Sequence, residues 1–201
     1  MTLLYRTAQI FSFLYFRFFH RFEVLGIENI PSNGSFIFAS NHQSYFDPPA
    51  LGCCLPRNLH YFARDSLFWG PFGWLISNLN SIPVNRSQLD LGTFKRVLKI
   101  LKSGHPILVF PEGTRSSNGE IGVGKKGVGL LIAKSSVSVV PSRVIGGFEI
   151  LGKGKIFPRL GQKLIIKYGR PIEMSELDPG LEAENRYEVI AERILSAISD
   201  L

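Results

Sequence analysis

Apolar positions recur along the chain with two different periods, and the switch between them predicts alternating strands and helices. Residues 35–40 (SFIFAS), 59–63 (LHYFA), 106–110 (PILVF), 137–140 (VSVV) and 163–168 (KLIIKY) are short apolar runs. Turn-prone or polar sequence such as PSNG bounds them, so each is read as a strand. Phe94, Val97, Leu98 and Leu101 repeat at helical spacing, with Ser87 and Asp90 placed as a capping box ahead of them and Gly104 as the stop. A further helix is predicted over 126–135. The last is predicted over 182–199, where Tyr187, Ile190, Ile194 and Ile198 share a face. Helical sequence also covers parts of 65–79, broken near Gly70, Pro71 and Gly73. Strands alternating with helices of these lengths imply a single α/β domain, with a largely parallel or mixed central sheet flanked by helices. No repeat or interdomain linker interrupts it, and the Gly/Lys/Pro stretch 151–161 reads as an excursion within the domain.

The amino end follows a different pattern. Residues 1–22 are densely apolar, but Arg6 and Arg17 interrupt them, and no run reaches the roughly 18–20 residues a bilayer span requires. The cationic, aromatic sequence Arg17 to Arg21 is not a signal-peptidase site. Wound as a helix at about 100° per residue, the segment groups Arg6, Gln9, Arg17, His20 and Arg21 on one side. Leu3, Leu4, Phe11, Leu14, Tyr15, Phe18 and Phe22 fall elsewhere, with Ile10 and Phe13 intruding on the polar side. This pattern predicts a cationic helix lying in the membrane interface, with residues 1–24 as a membrane-association segment ahead of a domain at 25–201. Removing the segment is then expected to weaken liposome binding more than the fold. The alternative is a helix packed on the domain with snorkelling arginines.

Composition narrows the class of partner. The 201 residues are 45% hydrophobic and 19% charged, which supports a real core and excludes a disordered chain. The sixteen Phe suit a core, a lipid-facing surface or an acyl pocket. A formal charge of +7 favours anionic partners. With no zinc-finger spacing and no long Lys/Arg run, the reading is an anionic membrane or a phosphorylated ligand, with no nucleic acid. Cys53 and Cys54 are the only cysteines, and neighbours in sequence rarely bridge one another, so no disulfide framework is expected.

Four segments carry candidate chemistry. Asn41-His42-Gln43-Ser44-Tyr45-Phe46-Asp47 directly follows a predicted strand, and Pro48-Pro49 mark a new element. Five residues apart, His42 and Asp47 do not share a helix face, yet at a strand-to-helix turn they can meet. Asp47 would then fix the imidazole tautomer and leave the other ring nitrogen as a base. Phe110 to Ser116 (FPEGTRS) delivers Glu112, Gly113, Thr114 and Arg115 to the end of a strand, where α/β sheets bind ligands. There Arg115 suits phosphate, and Gly113 suits close backbone approach. Arg86 closes the run Ile82-Pro83-Val84-Asn85-Arg86 and is either a second anion ligand or a surface charge. GEIGVGKK at 119–126 narrowly misses a nucleotide phosphate loop, because Lys126 stands where that loop needs Ser or Thr. Lys125 and Lys126 remain candidates for holding phosphate.

Taken together and in this order, NHQSYFD at 41–47, SIPVNR ending at Arg86, FPEGTRS at 110–116 and Val140-Pro141 resemble the motif blocks of the 1-acylglycerol-3-phosphate acyltransferase family. The resemblance runs from about residue 35 to 147 and more loosely beyond. It implies acyl transfer from acyl-coenzyme A or acyl-carrier protein to a lysophospholipid, without metal, cofactor or covalent acyl-enzyme, at the cytoplasmic face of a membrane. It makes His42 the general base, Asp47 its orienting partner and Glu112 part of the acceptor site. Arg86 and Arg115, assisted by Lys125 or Lys126, become ligands for the glycerol phosphate. The chain departs from the family's pattern at Asn80, Gly124 and Ser142-Arg143, which bears on acceptor and chain preference. Related readings are an acyltransferase for glycerol 3-phosphate or another lysolipid, and a lipid-binding protein without catalysis.

Overall fold

The computed structural model describes residues 2–85 and 91–201; Arg86, and the capping pair Ser87 and Asp90, lie outside the described residues. Helix α1 (Leu3–Phe19) leads into β1 (Arg21–Leu25), then β2 (Ile37–Ser40), α2 (Asp47–Gly52), β3 (His60–Arg64), α3 (Gly70–Asn78), β4 (Ser81–Val84) and α4 (Leu91–Lys102). The chain continues through β5 (Ile107–Val109), α5 (Lys126–Ser135), β6 (Val139–Ile145), α6 (Gly147–Leu151), β7 (Lys163–Tyr168), α7 (Met174–Leu177) and α8 (Arg186–Ser199). The strands form one sheet in the order β1-β7-β6-β2-β5-β3-β4. The run from β6 to β4 is parallel, β7 is antiparallel to β6, and β1 is parallel to β7. The sheet is therefore mixed, with helices on both faces.

Every residue of β2 and β5 is buried, which explains why these central strands read as unbroken apolar runs rather than alternating ones. Along β2, Phe38 joins the core beneath α1 and α2, whereas Ile37 and Ala39 join the core beneath α4, α5 and α8. Two expectations shift. Gly70 and Pro71 open α3 instead of breaking helical sequence, because proline's missing N–H costs nothing in a first turn. Strand β6 runs on through Pro141 to Ile145 instead of stopping at 140. Val139 donates its N–H to Ile172 O on the β7 side, so Pro141 turns its nitrogen to that same side, where β7 pairs only from Ser142 onward.

Helix α1 contradicts part of the predicted helical wheel. Gln9 and His20 are not on the outer, polar side; both are buried. Gln9 donates its amide to the carbonyls of Gly52 and Leu55 at 2.9 and 3.0 Å. Tyr5 O–H shares a 2.8 Å hydrogen bond with Tyr61 and accepts from the Leu59 N–H. Phe16 sits within the core with Phe38 and Leu164. Leu3, Ile10, Phe11, Leu14 and Phe18 occupy the opposite side and are exposed, with Phe11 72% and Phe18 79% accessible. Truncating α1 would open that core, so the fold depends on the segment more than its sequence pattern implied. Among the described residues, no helix is long and apolar enough to cross a membrane.

Candidate active site

The parallel strands end at one sheet edge, and the polar motifs gather there. Strand β2 delivers Asn41 and His42, and the chain then turns into α2, whose first residue is Asp47. His42 Nδ1 lies 2.9 Å from Asp47 Oδ2. The same oxygen accepts the N–H groups of Gln43 at 2.6 Å and Ser44 at 2.7 Å. A carboxylate only accepts, so Nδ1 carries the imidazole proton and Nε2 is left with its lone pair. Asp47 is wholly buried, and its Oδ1 has no hydrogen-bond partner. That oxygen lies against Gly147, where a Cβ would come within 2.7 Å of it. The His42 ring stacks on Phe110 at a centroid separation of 3.9 Å, which fixes its plane as Asp47 fixes its tautomer.

The second motif is strapped to the first. Glu112 is buried and does not line the cavity described below. One of its oxygens accepts the His42 N–H at 2.8 Å, and the other accepts the Gly122 N–H at 3.0 Å. The His42 carbonyl accepts the Ser116 N–H at 2.7 Å. Gly113 adopts a positive φ of 69° in an exposed turn, and Thr114 beside it is exposed. Arg115 lays its guanidinium over the Tyr45 ring at 3.6 Å, presenting its N–H edges sideways. The two lysines separate. Lys125 lines the cavity with its stem packed against Gly113, whereas Lys126 opens α5 and pairs with Glu188 of α8 at 2.9 Å. Arg86 lies outside the described residues, but Asn85 just before it lines the same cavity.

Residues without a sequence-assigned role complete the frame. The Asn41 amide donates to Val144 O at 2.9 Å and accepts from the Val144 N–H at 2.7 Å, pinning the end of β2 to β6. Gln43 donates to Gly119 O at 2.6 Å and bridges the two motif loops. No local pattern reveals these bonds, because their partners are backbone groups 76 to 103 positions away.

His42, with Asp47 buried behind it, faces a cavity of about 940 Å³ that runs across the strand ends. Phe62, Leu75, Ile76, Leu79, Phe94 and Leu131 make much of it apolar, while His42, Tyr45, Gly113 and Lys125 supply its polar end. Cys53 also lines it, but a hydrogen bond with Cys54, together with burial, pushes its thiol far above the ordinary range. Among the described residues, no three His, Cys, Asp or Glu side chains converge as a metal-binding group. The arrangement offers an oriented base, an apolar chamber and cations nearby. That set suits proton removal from a substrate with a long apolar part and an anionic head.

The chain is similar to known proteins in sequence and in fold. The chain aligns with a chloroplastic 1-acyl-sn-glycerol-3-phosphate acyltransferase of Arabidopsis thaliana at 34% identity, covering 80% of this chain and 46% of that protein. A Bacillus subtilis protein of the same descriptive name is 29% identical, covering 89% of this chain and 87% of its own length. The crystal structure of the 1-acyl-sn-glycerophosphate (LPA) acyltransferase of Thermotoga maritima superposes with a TM-score of 0.78 at 26% identity, over 98% of this chain and 79% of that one. The chain spans about half the length of the plastid relatives it matches. The family model described as Acyltransferase matches residues 21–145, a stretch that contains both catalytic-type motifs and the strands that carry them, and the chain belongs to that acyltransferase family.

Proposed function

We propose that this protein transfers a fatty acyl group from an acyl thioester to the free hydroxyl of 1-acyl-sn-glycerol 3-phosphate, giving phosphatidic acid. The observation that carries the reading is the buried His42–Asp47 pair, 2.9 Å apart, at the wall of the apolar cavity. The names of the relatives support the choice of acceptor. His42 Nε2 takes the proton of the acceptor hydroxyl as its oxygen attacks the thioester carbonyl. The carbon–sulfur bond breaks, an ester forms, and the imidazolium returns the proton to the leaving thiolate. Asp47 stabilises the imidazolium between these steps. The donor is acyl-coenzyme A or acyl-carrier protein, and neither a metal nor a covalent acyl-enzyme enters the step.

In this reading Arg115, laid over Tyr45, and Lys125 at the cavity wall receive the phosphate, and Arg86, assigned from its motif alone, is a further ligand for it. Gly113 at the cavity wall and the exposed Thr114 beside it leave room for the acceptor to approach the backbone, and Glu112 holds the His42 backbone from behind. The exposed apolar side of α1, flanked by Arg6 and Arg17, rests on the cytoplasmic surface of an anionic membrane, where a lysolipid and a water-borne donor meet.

The test supplies the purified protein in mixed micelles with acyl-coenzyme A or acyl-carrier protein, and with lysophosphatidic acid or glycerol 3-phosphate separately. Products are read by mass spectrometry. Phosphatidic acid is expected from wild type and is expected to fall by at least about 10²-fold in His42→Ala. Acylation of glycerol 3-phosphate alone would replace the proposed acceptor. Near-normal transfer by His42→Ala would remove the proposed base.

A further inference from the structure

The segment 152–161 has no role in the catalytic reading, yet it concentrates apolar and cationic side chains at the surface. Ile156 is 82% and Phe157 81% exposed, and Leu160 is exposed as well. Lys153, Lys155 and Arg159 alternate with them. From Ile150 to Ile172 the chain carries six Lys and Arg and no Asp or Glu. Among the described residues, Lys163 pairs with Glu23, but no carboxylate pairs with Lys153, Lys155 or Arg159. An exposed apolar tip ringed by cations is costly in water and suits an anionic bilayer, where the rings enter the interface and the cations meet headgroups.

The position of the loop points the same way. Together with α6 it joins the end of β6 to the start of the antiparallel β7, so it lies at the sheet edge that carries His42. The Gly161 N–H donates to Phe19 O at 2.8 Å, and the Arg21 N–H donates to Gln162 O at 2.9 Å. These bonds seat the base of the loop against the carboxyl end of α1, beside the exposed Phe18 and Phe19. Within the loop, the Arg159 N–H reaches Ile150 O, and Lys155 Nζ reaches Phe148 O at 3.3 Å. The tip is therefore displayed from a frame anchored to the carboxyl end of α1.

We infer that segment 152–161 is a second lipid-contacting element, which docks on an anionic bilayer next to α1 and holds the active-site edge of the sheet against the membrane. This deepens the membrane-surface reading of α1 and rests on it.

The test is partition of the full chain onto phosphatidylcholine vesicles with and without phosphatidylglycerol. Wild type is compared with Lys153→Gln/Arg159→Gln, Ile156→Ser/Phe157→Ser and the α1 control Phe11→Ser/Phe18→Ser, all checked for unchanged melting. At about 1 kcal/mol per cation near an anionic surface, the charge variant is expected to bind phosphatidylglycerol vesicles about 30-fold more weakly and phosphatidylcholine vesicles unchanged. The apolar variant is expected to lose at least about tenfold on both. Wild-type binding by both loop variants, with binding lost only in the α1 control, would overturn the loop's role and leave the α1 reading standing. No vesicle binding by wild type would overturn both. Unchanged vesicle binding with selective loss of transfer from acyl-carrier protein would also overturn it, and would make the loop a docking site for an acidic protein.

Discussion

Replacing Asp47 by Asn isolates the charge of the pair from its geometry. The Gln43 and Ser44 N–H groups can only donate, and both point to the position of Oδ2. The amide oxygen of the variant must sit there, so it still accepts from His42 Nδ1 and the imidazole keeps its tautomer. In the proposed mechanism, what disappears is the negative charge beside an imidazolium that exists only during the reaction. With charge centres roughly 4 Å apart and an effective dielectric of about 20, that attraction is worth about 4 kcal/mol. The amide dipole retains part of it, so kcat is expected to fall by about 10²–10³-fold. The fold should persist, because weaker hydrogen bonds to a neutral acceptor are offset by cheaper burial of a neutral side chain, each term being about 1–3 kcal/mol. Asp47→Ala lacks any acceptor for three N–H donors and should melt well below Asp47→Asn. The assay is initial-rate transfer in mixed micelles at saturating donor and acceptor, with circular dichroism melts alongside. A folded Asp47→Asn protein within about tenfold of the wild-type kcat would refute the stabilising role of the carboxylate.

Three further outcomes follow from the geometry. Gly147→Ala places a Cβ 2.7 Å from Asp47 Oδ1 and 3.3 Å from Val144 Cγ1, so the carboxylate must shift; kcat is expected to drop by about tenfold or more with acceptor KM little changed, and an unaltered kcat would show that the carboxylate tolerates the move. Tyr45→Ala removes the ring beneath Arg115 and should raise acceptor KM about threefold, from a cation–π contact worth about 0.5–1 kcal/mol, whereas Tyr45→Phe should not; equal KM in both would dismiss the stack. Burial depresses the titration of His20, and burial with the nearby charges of His105 and Arg96 depresses that of His60, so the fold holds both neutral and the unfolded chain binds more protons below the ordinary value of 6.5. Their contribution is thus intact above that value and is lost as pH falls through their lowered folded values. Melting temperature should decline toward acid, less steeply in His20→Phe, because both His20 ring nitrogens are buried without partners; parallel curves for the two proteins would exclude His20 as a source.

Fold class and the chemical motifs were legible because each has a local signature. Strand β7 and helix α5 have the boundaries their periodicity implied, and His42 meets Asp47 across the strand-to-helix turn that Pro48 and Pro49 announced. The errors trace to non-local causes. Gln9 and His20 are polar, so a helical wheel turns them outward; only the distant carbonyls of Gly52 and Leu55 make the inward position of Gln9 favourable. Strands β1 and β4 went unread because one follows a helix with a single-residue break and the other is four residues long and contains Pro83. Lys125 and Lys126 cannot be separated in sequence, since the separation depends on Glu188, 62 positions away.

If α1 lies on a membrane as proposed, its two sides are committed to different solvents. Tyr5, Gln9 and Phe16 belong to the interior, while Leu3, Ile10, Phe11, Leu14 and Phe18 face outward. An ordinary surface helix has an outer side on which most substitutions are neutral; α1 has few such positions, Thr7 among them, because in the membrane-surface reading Arg6 and Arg17 meet the anionic headgroups. A saturation scan of this helix should therefore show intolerance around its whole circumference, from two separable origins. Polar changes on the inner side would deplete folded protein, whereas polar changes on the outer side would leave folded enzyme stranded in the aqueous fraction, away from its lipid.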